Sequence, residues 1–232
     1  MKSRLWMLGV GVCLAWGAAT TAPAATTYYI NDIVTNSLDV FTSKAGNDSN
    51  SGLAPDQPKL TLGSVLTNTM APGDIIYIDT GSYGSGNVIS NTVNGTAGNP
   101  IQFIGSTNGT TFSGGGTILT VRGTYLKFSN IRIAGGGTGL NLDNAKFCEF
   151  EYLSLITNAS YGVYFNNAMT NQFRRSIFAT QGVTLQSATG NERGNAVENS
   201  ILSSAQNTVL SVSSLVLSNI TGCIITGPQA FI

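Results

Sequence analysis

Polar and apolar positions along this chain recur in one frame. Phe128-Ser-Asn-Ile-Arg-Ile133, Phe150-Glu-Tyr-Leu-Ser-Leu155, Phe173-Arg-Arg-Ser-Ile-Phe178, Val197-Glu-Asn-Ser-Ile-Leu202 and Ile220-Thr-Gly-Cys-Ile-Ile225 follow the same order. Each has an apolar residue, two polar or small ones, a small or apolar one, an outward residue, and a second apolar one. Their first residues lie 22, 23, 24 and 23 apart. A steady period of this length marks stacked repeats, each burying its inward face only against its neighbours. A second short strand follows the frame: Gly139-Leu-Asn-Leu142, Gly162-Val-Tyr-Phe165, Gly182-Val-Thr-Leu185 and Thr208-Val-Leu-Ser211. A third precedes it, as in Tyr125-Leu-Lys-Phe128 and Phe147-Cys-Glu-Phe150. Three short strands per coil, joined by Gly, Asn and Ser turns, predict an all-β chain wound as a right-handed three-sheet parallel β-helix. Leucine-rich repeats share the period, but their consensus is absent and no helical stripe follows each strand. A sandwich of hairpins would not hold a constant frame.

Upstream, Asp74-Ile-Ile-Tyr-Ile-Asp79 is an apolar strand ending at the turn Thr80-Gly-Ser-Tyr83. Pro100-Ile-Gln-Phe-Ile104 and Thr117-Ile-Leu-Thr-Val121 open the coil. Leu60, Leu62, Val65, Leu66 and Met70 are close to helical spacing. They predict a short amphipathic helix capping the exposed N-terminal end of the coil. The first residues read as a secretory signal: Lys2 and Arg4, an apolar run from Leu5 to Ala18, and Ala22-Pro23-Ala24 for cleavage before Ala25. The run is short of the roughly 20 residues a membrane span needs. Val12 before Cys13 argues against a lipoprotein. Residues 1–24 are thus expected as signal peptide, 25–73 as lead-in segment and capping helix, and 74–232 as β-helix. The expected location is secreted, extracellular or cell-surface, with the periplasm as alternative, and no membrane span after cleavage. Gly227 to Ile232 stop in mid-coil, so a continuation or a partner covering the open end is expected. The outward Ile177, Ile201 and Ile224 form an apolar stripe that points the same way.

Charged residues are only 9% of the chain while apolar ones are 42%, which is ample for a core. Without Lys2 and Arg4, nine basic residues face eleven acidic ones. A net charge near minus two argues against nucleic acid or an anionic membrane as partner. The absence of histidine removes the commonest general base and the most frequent transition-metal ligand. Cys148 and Cys223 fall about three coils apart, roughly 14 Å at a strand spacing of about 4.8 Å. That exceeds the roughly 7 Å limit for a disulfide, so both are expected as small core residues.

Gly46-Asn-Asp-Ser-Asn-Ser-Gly52, then Pro55, Pro58 and Pro72-Gly-Asp-Ile-Ile-Tyr-Ile-Asp-Thr-Gly-Ser-Tyr83, resemble the N-terminal portion of pectin-lyase-like β-helix proteins. Gly95-Thr-Ala-Gly-Asn-Pro-Ile-Gln-Phe103 is similar to the stretch opening the coil in alginate-lyase and chondroitinase-B-like members. The resemblance covers nearly all of the chain after the leader. It implies the β-helix fold and a polysaccharide partner, but not one activity, since lyases, hydrolases and adhesins share this region. It also implies a possible calcium cofactor; the residues themselves show none. Lyases of this kind remove a proton beside a uronate carboxyl with Lys or Arg as base.

In such proteins the strand after the Gly-rich turn lines the substrate groove. Its outward residues are expected to be Asn141 and Asp143, Tyr164 and Asn166, Thr184 and Gln186, then Leu210. Amides, hydroxyls and one ring suit a sugar. Asp143 is the one ionisable group among them, and a lone carboxylate neither holds calcium well nor forms a glycosidase pair. Catalytic residues therefore stay unassigned and no metal site is expected. Glu151, Arg174 and Glu198 share one position in three coils and predict a structural charge ladder, with Glu151 and Glu198 flanking Arg174. Tyr152, Arg175 and Asn199 follow one residue later; an anion site at Arg174-Arg175 is the functional alternative. Lys127 and Glu149 are expected to pair, and Asn130 and Asn199 to stack along a turn. Asp48-Ser-Asn50-Ser-Gly52 lacks the remaining ligands of an EF-hand and reads as a tight turn. The expected function is an exported β-helix that binds or acts on polysaccharide. Its rival is a non-catalytic surface or adhesive module, and the two differ in whether acids and bases cluster on the groove face.

Overall fold

The computed structural model describes residues 24–188, 192–206, 208–211 and 217–231. The leader thus lies outside the described residues save for Ala24. Each coil runs through three strands, and strands of successive coils pair in parallel. The first sheet has eight strands, from Thr27–Ile30 through Ile75–Ile78 and Ile101–Gly105 to Leu217–Thr221. The second has seven, from Gly81–Tyr83 to Ile224–Thr226, and the third seven, from Asn87–Ile89 to Gln229–Phe231. The recurring frame straddles a corner between the first two sheets. Leu126–Ser129 and Ile131–Gly135 are separate strands, and Asn130 between them has φ 57°. The strand expected ahead of the frame and the frame's first half are therefore one strand.

Stacking in register places like positions above one another. Ile76, Phe103, Phe128, Phe150, Phe173, Val197 and Ile220 form one column of the first sheet. Phe103 to Phe173 are buried, with successive ring centroids 4.8, 4.9 and 4.7 Å apart and planes within 11° of parallel. That spacing is the inter-strand distance itself, so ring contact follows from the repeat. Ile133, Leu155, Phe178 and Leu202 fill the second sheet's inner face, and Leu140, Val163, Leu185 and Leu210 the third's.

One left-handed residue makes the corner after the first sheet in successive coils: Asn130, Tyr152, Arg175 and Asn199, at φ between 49° and 57°. The asparagines that bond to one another lie elsewhere. Asn171 is fully buried; its Oδ1 accepts from Cys148 N, and its Nδ2 donates to Ala145 O and Asn195 Oδ1. These contacts satisfy backbone that the turn leaves unpaired. Cys148 is buried and Cys223 half-buried, both free, and they stand at different corners. Backbone bonds align Cys148 with Asn171, but Cys223 with Ser200 and Ser176.

The N-terminal helix is a single turn, Leu62–Val65, rather than the whole of 60–70. Thr61 Oγ1 accepts from Ser64 N as N-cap, while Leu62, Val65 and Met70 enter the core. The helix packs on the edge strands of the first and third sheets, Thr27–Ile30 and Asn87–Ile89. Asp48, in the expected tight turn, accepts from Leu60 N, Thr61 N and Ser64 Oγ and anchors the helix start. Desolvation pushes its pKa up, but the bonds from Ser64 and Thr61 outweigh it and hold the carboxyl below its ordinary value. Buried Asp79 fixes the lead-in segment by accepting from Val40 N, Phe41 N and Thr42 N. On the second sheet Ile177, Ile201 and Ile224 stand in register and exposed, as the pattern implied. No helix among the described residues is long and apolar enough to cross a membrane.

Candidate functional site

The outward row of the third sheet runs Val88, Thr120, Asn141, Tyr164, Gln186 and Ser211, one residue per coil. Asp143 and Asn166 pair in the next outward column. Asn141, Asp143, Tyr164, Asn166 and Gln186 are therefore on the face expected for them.

Thr184 is not. It is fully buried, its Oγ1 donating to Ser203 O and sharing a hydrogen bond with Thr180 Oγ1. Leu210 is buried as well, opposite Leu185, and Ser211 takes the outward place. The cause is register: Val183 opposes Tyr161 and Leu185 opposes Val163, so Thr184 sits beside Gly162. The two glycines used to align these coils serve different ends. Gly162 is inside the strand, where a Cβ would fall 2.6 Å from Thr184 O. Gly182 is in the preceding turn, where a Cβ would fall 2.1 Å from Ser160 O. Matching one to the other displaces the strand by two residues.

Asp143 is not alone. Arg122 Nε donates to its Oδ2 at 2.7 Å, and Asn144 and Asn166 Nδ2 donate to its Oδ1 at 2.9 and 3.0 Å. Asn167 Nδ2 extends the network to Asn144 Oδ1. Arg122 was legible, since Val121 opposes Leu142 and the next residue in each strand must meet. Within the strand Tyr161–Asn166, the ring of Tyr161 lies 5.1 Å from that of Tyr164. Gln186 Nε2 donates to Ser187 O, and Asn141 Oδ1 is enclosed without a donor. The face thus offers amide and hydroxyl hydrogen bonds beside an aromatic edge. It does not fit calcium, which takes 6–8 oxygens, often from several carboxylates, whereas the one carboxylate among its described residues faces a guanidinium. Among the described residues no three acidic or sulfur side chains gather for a metal.

The charge column is in register, Glu151 opposite Arg174 and Arg174 opposite Glu198, but its pairing differs from the expected ladder. Arg174 Nε bonds Glu198 at 3.1 Å, while Glu151 bonds Arg175 Nη1 instead. The left-handed corner brings Arg175 back over the coil before it, its Cζ 5.8 Å from the centroid of the Tyr152 ring. Lys127 and Glu149 pair at 3.7 Å as expected.

No protein-family model and no curated protein matches this sequence significantly. Among solved structures, it is similar to an alginate lyase from Paenibacillus sp. str. FPU-7, with TM-score 0.51 and 20% identity over 72% of this chain and 72% of that one. It is also similar to a GH136 lacto-N-biosidase from Eubacterium ramulus, with TM-score 0.52 and 14% identity over 79% of this chain. The match spans 42% of the biosidase, less than half its length. At such identities the likeness is one of fold. In architecture this chain is a right-handed three-sheet parallel β-helix.

Proposed function

We propose that this protein is exported and binds polysaccharide along the outward face of its third sheet. The observation that carries the reading is the row Asn141, Tyr164, Gln186, which repeats sugar-compatible groups once per coil in register. An extended glycan running along the coil axis meets an equivalent contact at each step of about 4.8 Å. The names of the two structural relatives, a lyase and a glycosidase, support a carbohydrate partner. The basic start and apolar run of the leader support export.

Binding without cleavage is favoured by a specific feature. Asp143 is engaged by Arg122, Asn144 and Asn166, which hold its carboxylate in a hydrogen-bonded network instead of leaving it free to act as a base or nucleophile. This matches a surface or adhesive module as well as a binding one. Affinity electrophoresis through alginate, pectate, chondroitin and neutral glucans tests it. Retardation by one of them, lost in Tyr164→Ala and weakened in Gln186→Ala, is expected. No retardation, or retardation untouched by both changes, refutes the groove. Release of unsaturated product absorbance would replace binding by lyase action.

A further inference from the structure

A cavity of about 220 Å³ lies at the corner between the first and second sheets, away from the third-sheet row. It exists because this corner is longer in an early coil. Ser106–Gly109 separate the strands Ile101–Gly105 and Thr110–Gly114, where the next coils use only Asn130, then Tyr152 and Leu153. The loop is pinned: Asn108 Nδ2 donates to Leu38 O, and Ser106 Oγ shares a hydrogen bond with Thr80 Oγ1. Its Ser106, Thr107 and Gly109 line an open cavity together with Arg132, Tyr152 and Ser154.

Arg132 stands in register between Thr111 and Ser154, exposed, with no ion pair or hydrogen bond among the described residues. Arg122, Arg174 and Arg175, by contrast, each face a carboxylate. No acid lines this cavity, so its guanidinium is uncompensated. The hydroxyls of Thr107 and Ser154 have no partner within the described protein. Tyr152 is 51% exposed, with the Arg175 guanidinium beside its ring. A guanidinium fork favours a planar carboxylate, free hydroxyls take sugar hydroxyls, and a tyrosine ring takes a sugar's CH face. One residue carrying all three features is a uronic acid. The cavity's volume of about 220 Å³ is below that of a drug-sized ligand site and is of the order of one sugar ring.

We propose that this corner is a subsite for a single uronate residue of an acidic polysaccharide, with Arg132 on the carboxylate and Tyr152 against the ring. It does not depend on the third-sheet reading, because none of its residues lies on that face.

Calorimetric titration with oligogalacturonate and oligoguluronate, with a neutral oligogalactose of equal length as control, tests the proposal. Arg132 is exposed and unpaired, so Arg132→Gln folds, which circular dichroism checks. At least one acidic oligomer binds the wild type, and Arg132→Gln weakens it at least tenfold. Arg132→Lys recovers only part of that loss, and raising the ionic strength to about 0.5 M weakens binding. Tyr152→Ala weakens it as well. The proposal is overturned if neither acidic oligomer binds, if the neutral one binds equally, or if Arg132→Gln binds like wild type. Full recovery with lysine contradicts the forked contact. Competition by free acetate or sulfate at the oligomer's own concentration would reduce the site to a general anion pocket and overturn it too.

Discussion

Replacing Phe150 by alanine probes the stacked interior at a ring sandwiched between two others. Phe150 is 1% exposed and lies between Phe128 at 4.9 Å and Phe173 at 4.7 Å. Truncating a buried phenylalanine costs about 3–5 kcal/mol through lost transfer energy and the cavity left behind. Two parallel ring contacts, each about 0.5–1.5 kcal/mol beyond area burial, put this site at the upper end, about 5 kcal/mol. Phe103, with one ring neighbour at 4.8 Å and Ile76 on its other side, is expected to lose about 1 kcal/mol less. Ile177, outward on the second sheet and 46% exposed, is the control, and its alanine variant stays within about 0.5 kcal/mol of wild type. Urea unfolding followed by far-ultraviolet dichroism and tyrosine fluorescence reads the differences, and coincident curves justify a two-state fit. A loss below about 2 kcal/mol for Phe150→Ala, or one equal to the Ile177 control, would mean that the rings do not form a closed interior column.

Asn171→Ala leaves Cys148 N without a partner, while Ala145 O keeps Met169 N and Asn195 Oδ1 keeps the backbone N of residue 171. The buried orphan costs about 1–3 kcal/mol and each of the two other lost bonds about 1 kcal/mol, so a net loss of about 3 kcal/mol is expected. For a domain of this size that lowers Tm by about 6–12 °C, and a melt shifted by under about 3 °C contradicts the bonding. Cys148 predicts a pH effect. Burial pushes its thiol up to about 12, and backbone bonds to Leu126 and Lys146 oppose this only weakly. The neutral thiol's contribution is fully present below about pH 9 and is lost as pH rises towards 12. The stability advantage of wild type over Cys148→Ala should narrow by about 2–3 kcal/mol between about pH 9 and 11. A pH-independent difference would show that the thiol is not buried.

The interior was legible because a parallel coil gives each inward position the same surroundings every turn. Phe128, Phe150 and Phe173 had to recur at one period, and no alternative pairing buries them all. The outward face lacks that constraint. Around Thr184 the run Val183-Thr-Leu185 contains β-branched residues that suit either face, and glycine recurs both in strands and in turns. Gly182 therefore mimics the strand glycine Gly162 in sequence, although its need for no Cβ arises from Ser160 O and not from a strand position. The Arg175–Glu151 pair was hidden for another reason. A left-handed corner residue sends its side chain off the column, and no pattern of residue types marks that direction. Nothing in the sequence marks Arg132, because its meaning depends on the neighbours it lacks, and these are set by where the Ser106–Gly109 loop lies.

Hydroxyl-radical footprinting, with and without a polysaccharide that retards the protein, tests the location of the binding face most directly. Tyr164 and Tyr161 should lose labelling when the glycan is added, while exposed Phe147 and Ile177 keep theirs. Unchanged labelling at Tyr164, with protection at Ile177 and Ile201 instead, would place the glycan on the second sheet and contradict the third-sheet groove.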